Sequence, residues 1–186
     1  MNSESWTLKL LCSTLYTLGW IICVFGGAAK WTILPLLTTA VITIPLLVYL
    51  FTLDRSLGLG TLILLAYGSL FGLAMETLFI SLDWLSYATT NSLSPVLPPG
   101  WLWCLYFLFL PTLKLALDPL RRSYLAAALF GMLGAPLSYL AGATIGAVRL
   151  SSTYSVLGIG LCWAVYMLLI VYLDRRLKQR LLFNIR

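Results

Sequence analysis

Six apolar stretches account for most of this chain, and each is about as long as a bilayer is thick. A transmembrane helix needs about 20 predominantly apolar residues to cross the hydrocarbon core. The pattern therefore predicts an all-α polytopic membrane protein, a compact bundle of six transmembrane helices forming a single domain over residues 1–186. The predicted spans cover residues 8–29, 31–53, 58–82, 101–117, 123–148 and 154–173, and residues 83–100 form the one long loop.

Composition excludes a water-soluble fold. Hydrophobic residues make up 61% of the 186 residues and charged residues only 10%, with a mean hydropathy of +0.96. Soluble domains carry about a quarter charged residues. Six spans and their loops also use the whole chain, so no soluble domain is expected beside the bundle.

The residue types that the chain lacks exclude several kinds of chemistry. There is no histidine, which is the commonest metal ligand and the usual general base near neutral pH. The four cysteines, Cys12, Cys23, Cys104 and Cys162, all lie inside apolar stretches without CxxC spacing. We therefore interpret them as packing residues and expect neither a metal site nor a cofactor.

The basic residues predict the orientation of the bundle, whose net charge is +6. Ten of the twelve fall on the side of the two chain ends, and only Lys30 and Arg149 fall on the other. Because Lys and Arg collect on the cytoplasmic side, both termini are predicted to be cytoplasmic and the 83–100 loop to face outward. The basic C-terminal tail then sets topology beside anionic headgroups, and nucleic acid is not an expected partner.

Two rows of small residues are typical of helix contacts within a membrane. Gly68 and Gly72 share one face of the third predicted span. Gly131, Gly142 and Gly146 share one face of the fifth, because steps of three and four residues return to the same side of a helix. Small residues let membrane helices approach closely. We expect these five glycines to serve helix packing.

Glu76 is the residue that points most clearly to function. An ionisable group within a span costs about 2.5–3.5 kcal/mol on insertion scales and normally faces a partner or a water-filled cavity. It shares a helix face with Asp83, and a rise of about 1.5 Å per residue brings Arg149 level with Asp83, from which its long side chain could reach back toward Glu76. The sequence therefore predicts an outward-facing polar pocket around these three side chains. Two interpretations remain open, a structural ion pair and a working site.

Aromatic residues complete the predicted pocket. Trp101 and Trp103 open the fourth span, and Tyr139 lies in the fifth. Aromatic side chains with a polar end favour the membrane interface, so we expect these three at the rim or floor. The predicted ligand-binding set is Glu76, Asp83, Arg149, Tyr139, Trp101 and Trp103, with Glu76 as the candidate catalytic residue.

Four segments of the chain resemble one family of small bacterial inner-membrane proteins, grouped as domain of unknown function 2878. The segments are LGWIICVFGGA at 18–28, GSLFGLAMETLFISLD at 68–83, PPGWLWCLYF from Pro98, and GAPLSYLAGATIGAV at 134–148. The resemblance follows the same order over nearly the whole chain, although the family often has Asp where this chain has Glu76. It implies a multi-pass protein of the bacterial inner membrane. Members look to be often encoded near enzymes that modify fatty acids, which implies a link to membrane lipid metabolism.

These observations favour a binding or accessory function. The leading hypothesis is a pocket centred on Glu76 that binds a membrane lipid or small amphiphile, or that docks a membrane protein partner. The first alternative is a membrane-embedded enzyme in which Glu76 donates or accepts a proton on an apolar substrate. The second is a small transporter. One deep carboxylate without a second catalytic group at equal depth favours binding over catalysis.

Overall fold

A computed structural model describes residues 3–183 of the chain. Within these residues it contains seven helices and two short strands. The helices are α1 (Ser3–Ala28), α2 (Ile33–Leu53), α3 (Arg55–Ser81), α4 (Gly100–Leu115), α5 (Asp118–Arg122), α6 (Tyr124–Ile145) and α7 (Thr153–Phe183). The strands are β1 (Leu85–Tyr87) and β2 (Val148–Leu150).

The predicted all-α bundle is confirmed. Five helices, α1, α2, α3, α6 and α7, are long and apolar enough to cross a membrane by length and composition. The fourth predicted span corresponds to α4, an apolar helix of 16 residues. The number of crossings and the cytoplasmic position of the two termini remain predictions of the sequence.

The short helix α4 occupies the centre of the bundle. It packs against α1, α2 and α3, and its residues Leu108, Leu110 and Leu113 have no exposed surface. A helix that is apolar on all sides is typical either of a protein core or of a membrane span. At about 1.5 Å per residue it is about 24 Å long. Its sequence is therefore typical of a membrane span, and in the structure most of its surface is covered by the neighbouring helices.

The outer end of the fifth predicted span differs from the expectation of a helix through residue 148. Gly146 adopts a left-handed conformation with φ of 86° and ends α6 as its C-cap, the position that most favours glycine. It therefore has a capping role and not the predicted packing role. The chain then forms β2, which pairs antiparallel with β1 so that Tyr87 lies opposite Val148. Three-residue strands are too short to give a period-two signal in the sequence.

Four of the five predicted packing glycines lie at close contacts between elements: Gly68, Gly72, Gly131 and Gly142. A Cβ atom at Gly68 would lie 2.8 Å from Cδ1 of Leu110 on α4, and one at Gly131 would lie 2.4 Å from the carbonyl oxygen of Trp163 on α7. At Gly142, the nearest heavy atom lies on β2, 3.2 Å away. The contact at Gly131 is the least able to adapt, because a backbone atom blocks it.

Gly131→Ala should lower the thermal stability of the purified protein, because α6 and α7 must separate to admit the new methyl group. Overpacking of this kind costs about 1–3 kcal/mol. Gly134, one turn away, provides the control, since its Cβ would lie 3.9 Å from the Phe130 ring. Gly134→Ala should be neutral or stabilising because alanine favours helix. Equal melting temperatures for both variants would contradict the packing at Gly131.

A buried cluster of charged residues joins α4, α5 and α7 at the basic end of the bundle. Asp174 on α7 forms one ion pair with Lys114 of α4 and another with Nε of Arg121 of α5, at 2.7 Å. Arg175 donates to the Arg121 carbonyl at 2.9 Å. The predicted sixth span stopped at 173, but α7 continues to Phe183 and carries these residues. Part of the predicted basic tail is thus helical and packed against the bundle.

Reporter fusions test the predicted topology. A reporter fused after the last residue should be active only in the cytoplasm, and one inserted beside Asn91 only outside, because the basic residues lie with the termini. Activity of either reporter on the opposite side would contradict the six-span topology.

Candidate functional site

Glu76 lies at the centre of a cluster of tyrosines. Its side chain on α3 has no exposed surface. Oε2 accepts a hydrogen bond from the Tyr87 hydroxyl at 2.6 Å, and Oε1 accepts one from Tyr106 at 3.0 Å and another from Tyr139. The hydroxyls come from β1, α4 and α6, so this carboxyl group joins four separate elements. We call these four residues the tyrosine–glutamate cluster.

Local backbone features bring the three hydroxyls to one point. Gly72, one turn before Glu76 on α3, leaves room for the Tyr106 ring, which a Cβ at this position would approach to 2.1 Å. The pairing of β1 with β2 holds Tyr87 across the end of α3, opposite Val148. The glycine predicted to pack helices therefore also positions a residue of the cluster.

Aromatic contacts fix the orientation of the tyrosine rings. The indole N–H of Trp163 on α7 points to the Tyr139 hydroxyl at 3.4 Å, and the Trp163 ring stacks on Tyr106 with centroids 5.9 Å apart. Trp101 meets the Tyr87 ring edge to face at 5.5 Å. Such aromatic pairs contribute about 0.5–1.5 kcal/mol beyond their burial. The cluster is thus held by packing as well as by hydrogen bonds.

The protonation of Tyr87 is determined by its surroundings. It lies in β1, outside the membrane-spanning helices, and burial raises the pKa of its hydroxyl well above the usual value. The nearby Glu76 raises that pKa further. Because phenols ordinarily titrate near pH 10, this hydroxyl keeps its proton at physiological pH and remains a hydrogen-bond donor to Glu76.

A cavity of about 470 Å³ lies between α1 and α6, with α4 behind it and the tyrosine–glutamate cluster in its wall. Its other wall residues are mainly aromatic, aliphatic and glycine. From α1 they are Tyr16, Thr17, Trp20 and Val24; from α4, Trp101, Leu102, Leu105 and Phe109; from α6, Phe130, Gly131, Gly134, Ala135, Leu137, Ser138 and Gly142; Val148 and Trp163 complete the wall.

The mouth of this cavity lies on the lateral side of the bundle. Thr17, Phe130 and Leu137 line the cavity and are themselves exposed. Each lies well inside a helix that is long enough to span a membrane. The opening therefore lies on the side of the bundle between α1 and α6, part-way along these two helices.

The two ends of the cavity differ in polarity. One end holds Glu76 and the three hydroxyls. The other end, toward the middle of the helices, holds Phe109 packed against Tyr16 and stacked on Phe130 at 6.3 Å. Phe130 and Tyr139 are nine residues apart on α6, so the two ends are separated by about 14 Å.

Among the predicted site residues, Tyr139, Trp101 and Glu76 line the cavity. Trp103 is absent from the cavity wall and is 40% exposed on the outside of α4. The structure therefore brings one of the two predicted tryptophans to the site and places the other at the bundle surface.

Of the neighbours predicted for Glu76, Tyr139 bonds to it, whereas Arg149 forms no ion pair with it among the described residues. Arg149 is exposed on β2, opposite Ser86 of β1, and Asp83 is exposed with a positive φ of 54° in the turn after α3. Neither lines the cavity. The helix count placed Arg149 level with Asp83 and expected its side chain to reach back toward Glu76, but α6 ends at Ile145 and Arg149 lies on β2 instead of on a helix.

Three residues of the site escaped the sequence reasoning: Tyr87, Tyr106 and Trp163. Tyr106 carried a signal, because a buried tyrosine hydroxyl usually has a partner, and this tyrosine lies within an apolar stretch. Tyr87 lies in a polar loop, where nothing in the sequence connects it to α3. Across residues 3–183, no group of three or more Cys, Asp or Glu is arranged to hold a metal. The site offers hydrogen bonding and aromatic surface.

Comparison with known proteins places the chain in a family. Searches of curated proteins and of solved structures gave no match. Residues 9–169 match the family described as "Protein of unknown function (DUF2878)", in agreement with the resemblance of the four sequence segments. This match covers most of the 186 residues, and the chain therefore belongs to the DUF2878 family.

Proposed function

We propose that this multi-pass membrane protein, located in the bacterial inner membrane, binds a lipid or small amphiphile in the cavity between α1 and α6. The observation that carries the proposal is the polarity of the cavity wall, which is polar at Glu76 and apolar at Phe109 and Phe130. An amphiphile has the same division into head and tail. When an amphiphile is bound, its polar head would contact the polar end of the cavity and its apolar tail the apolar end.

The size of the cavity supports this proposal. Sites for small ligands usually measure about 300–1,000 Å³ and are mainly apolar, with a few polar groups that fix orientation. At about 470 Å³, this cavity suits one small amphiphile or a single alkyl chain. Its lateral mouth also favours a ligand that is dissolved in the membrane.

The enclosure of Glu76 favours binding over catalysis. The carboxyl group has no exposed surface, and each of its oxygens accepts at least one tyrosine hydrogen bond. A catalytic carboxyl group must come within hydrogen-bond reach of the reacting atom. Here tyrosine hydroxyls already occupy both oxygens of Glu76, so its role is to hold the hydroxyls in position.

Mass spectrometry of amphiphiles that copurify with the protein tests the proposal. The wild-type protein should retain a bound amphiphile, and Glu76→Gln should lose most of it while remaining folded, because the amide leaves only one oxygen to accept from the three hydroxyls. Asp83→Asn makes the same chemical change outside the cavity and should retain the amphiphile. A wild-type protein without bound amphiphile, or equal retention by the two variants, would contradict the proposal.

A further inference from the structure

The hydrogen-bond donors at the polar end of the cavity are nearly all in use. The hydroxyls of Tyr87, Tyr106 and Tyr139 donate to Glu76. The indole N–H groups of the wall are also engaged, as Trp20 donates to Ser138 Oγ at 2.9 Å, Trp101 to Thr89 Oγ1 at 2.9 Å and Trp163 to Tyr139. Among the described wall residues of this end, only the Ser138 hydroxyl hydrogen is left to donate.

Acceptors, in contrast, remain available at the same place. A tyrosine hydroxyl that donates its hydrogen still has oxygen lone pairs, and a carboxylate has about four acceptor sites. Tyr87 and Tyr106 each make one hydrogen bond through the hydroxyl. The polar end is therefore rich in acceptors and poor in donors, so its hydrogen bonds favour a ligand that supplies the donor.

The charges of the cavity wall favour the same kind of ligand. Its ionisable acid is Glu76, and no Lys or Arg is among the wall residues. Arg149, the cation expected there, is exposed on β2. A negatively charged head would therefore be buried beside a carboxyl group without a countercharge, which is costly in an apolar environment. The rings of Trp101 and Trp163 favour a cation, since aromatic faces attract positive charge.

We infer that the ligand of this cavity carries a hydroxyl or amine head, which donates hydrogen bonds and has no negative charge, on a single apolar tail. This inference rests on the proposed binding function and specifies the class of its ligand. The head lies against the hydroxyls of Tyr87 and Tyr106, and the tail extends toward Phe109 and Phe130. Fatty acids, alkyl sulfates and other anionic amphiphiles are rejected.

Four probes with the same decyl tail separate the effects of charge and of hydrogen bonding. Decanol is a neutral donor, decylamine a cationic donor, decyl methyl ether a neutral molecule without a donor, and decyl sulfate an anion. Because a ligand that binds the folded state raises its melting temperature by mass action, thermal unfolding of the protein in phosphatidylcholine nanodiscs reports binding. Decanol and decylamine should bind about tenfold or more tightly than the ether and the sulfate.

A variant with a blocked cavity controls for the effects that the probes have on the membrane itself. Gly134 lines the cavity, and a Cβ there would have no atom closer than 3.9 Å, so Gly134→Phe should fill the cavity without disturbing α6. All four probes should then lose their specific effect. Glu76→Gln should weaken the binding of both decanol and decylamine, and Asp83→Asn should leave the binding of both unchanged.

The possible results separate the inference from the proposed function. Equal binding of all four probes by the wild-type protein, abolished by Gly134→Phe, would overturn the head-group inference and leave amphiphile binding intact. Tighter binding of decyl sulfate than of decanol would overturn it in the same way. Identical effects of every probe on the wild-type protein and Gly134→Phe would overturn both the inference and the binding function.

Discussion

Asp174→Asn should be among the most destabilising single substitutions in this protein. Asp174 is 2% exposed and pairs with Lys114, whose side chain is 3% exposed, and with Arg121. Removing one partner of a buried ion pair costs about 3–5 kcal/mol, because the other charge remains buried without compensation. Thermal unfolding in detergent should show a large fall in melting temperature.

Asp118→Asn is the matched control for this prediction. Asp118 has a side chain that is 29% exposed, and it pairs at 2.8 Å with the exposed Arg122 and at 3.5 Å with Arg121. Exposed pairs contribute about 0–1 kcal/mol. The double variant Lys114→Met with Asp174→Leu should recover part of the loss, because it removes the two most buried charges of this cluster. Similar melting temperatures for Asp174→Asn and Asp118→Asn would show that the cluster does not hold α4, α5 and α7 together.

Glu76→Ala should also cause a large loss of stability. The substitution leaves three buried hydroxyls without their acceptor, and each unsatisfied group costs about 1–3 kcal/mol. Glu76→Gln should cost less, since its amide keeps one oxygen acceptor. The melting temperatures should therefore fall in the order wild type, Glu76→Gln, Glu76→Ala.

A double-mutant cycle tests whether this loss comes from the hydrogen bonds. Tyr106→Phe should destabilise the wild-type protein but have little effect in the Glu76→Ala background, because the hydroxyl has already lost its partner. Tyr67→Phe is the control, since this tyrosine is 56% exposed on α3, and it should have little effect in either background. Additive effects of Tyr106→Phe and Glu76→Ala would contradict the cluster.

Hydropathy predicted the helices of the bundle well, because a long apolar stretch in a chain of this composition is stable as a helix, which satisfies its own backbone hydrogen bonds. It could not identify α4 as the central helix, since an apolar sequence favours lipid and protein neighbours equally. It also missed Asp174, whose partners Lys114 and Arg121 lie more than 50 positions earlier in the chain. Pairing across such a distance depends on tertiary packing, which periodicity does not encode.

The sequence predicted the central residue of the site, Glu76, but only one, that of Tyr139, of the three tyrosine hydroxyls that bind it. Glu76 was identified by the cost of an ionisable group within a span, and a partner for it was correctly expected. Arg149 was predicted as one neighbour because opposite charge is the simplest compensation, and Tyr139 as another. The structure instead supplies three hydroxyl donors, from β1, α4 and α6. Tyr87 reaches Glu76 only because β1 pairs with β2, and neither strand gave a signal.

Photocrosslinking tests the central claim, an amphiphile held in the α1–α6 cavity with its tail at the aromatic end, most directly. A decanol analogue with a diazirine at the end of its tail is activated in the reconstituted protein, and the adducts are mapped by peptide mass spectrometry. The account predicts adducts at Tyr16, Phe109 or Phe130 that excess decanol and Gly134→Phe both abolish. Adducts confined to the exposed residues Leu133 and Val165, unchanged by either treatment, would contradict it.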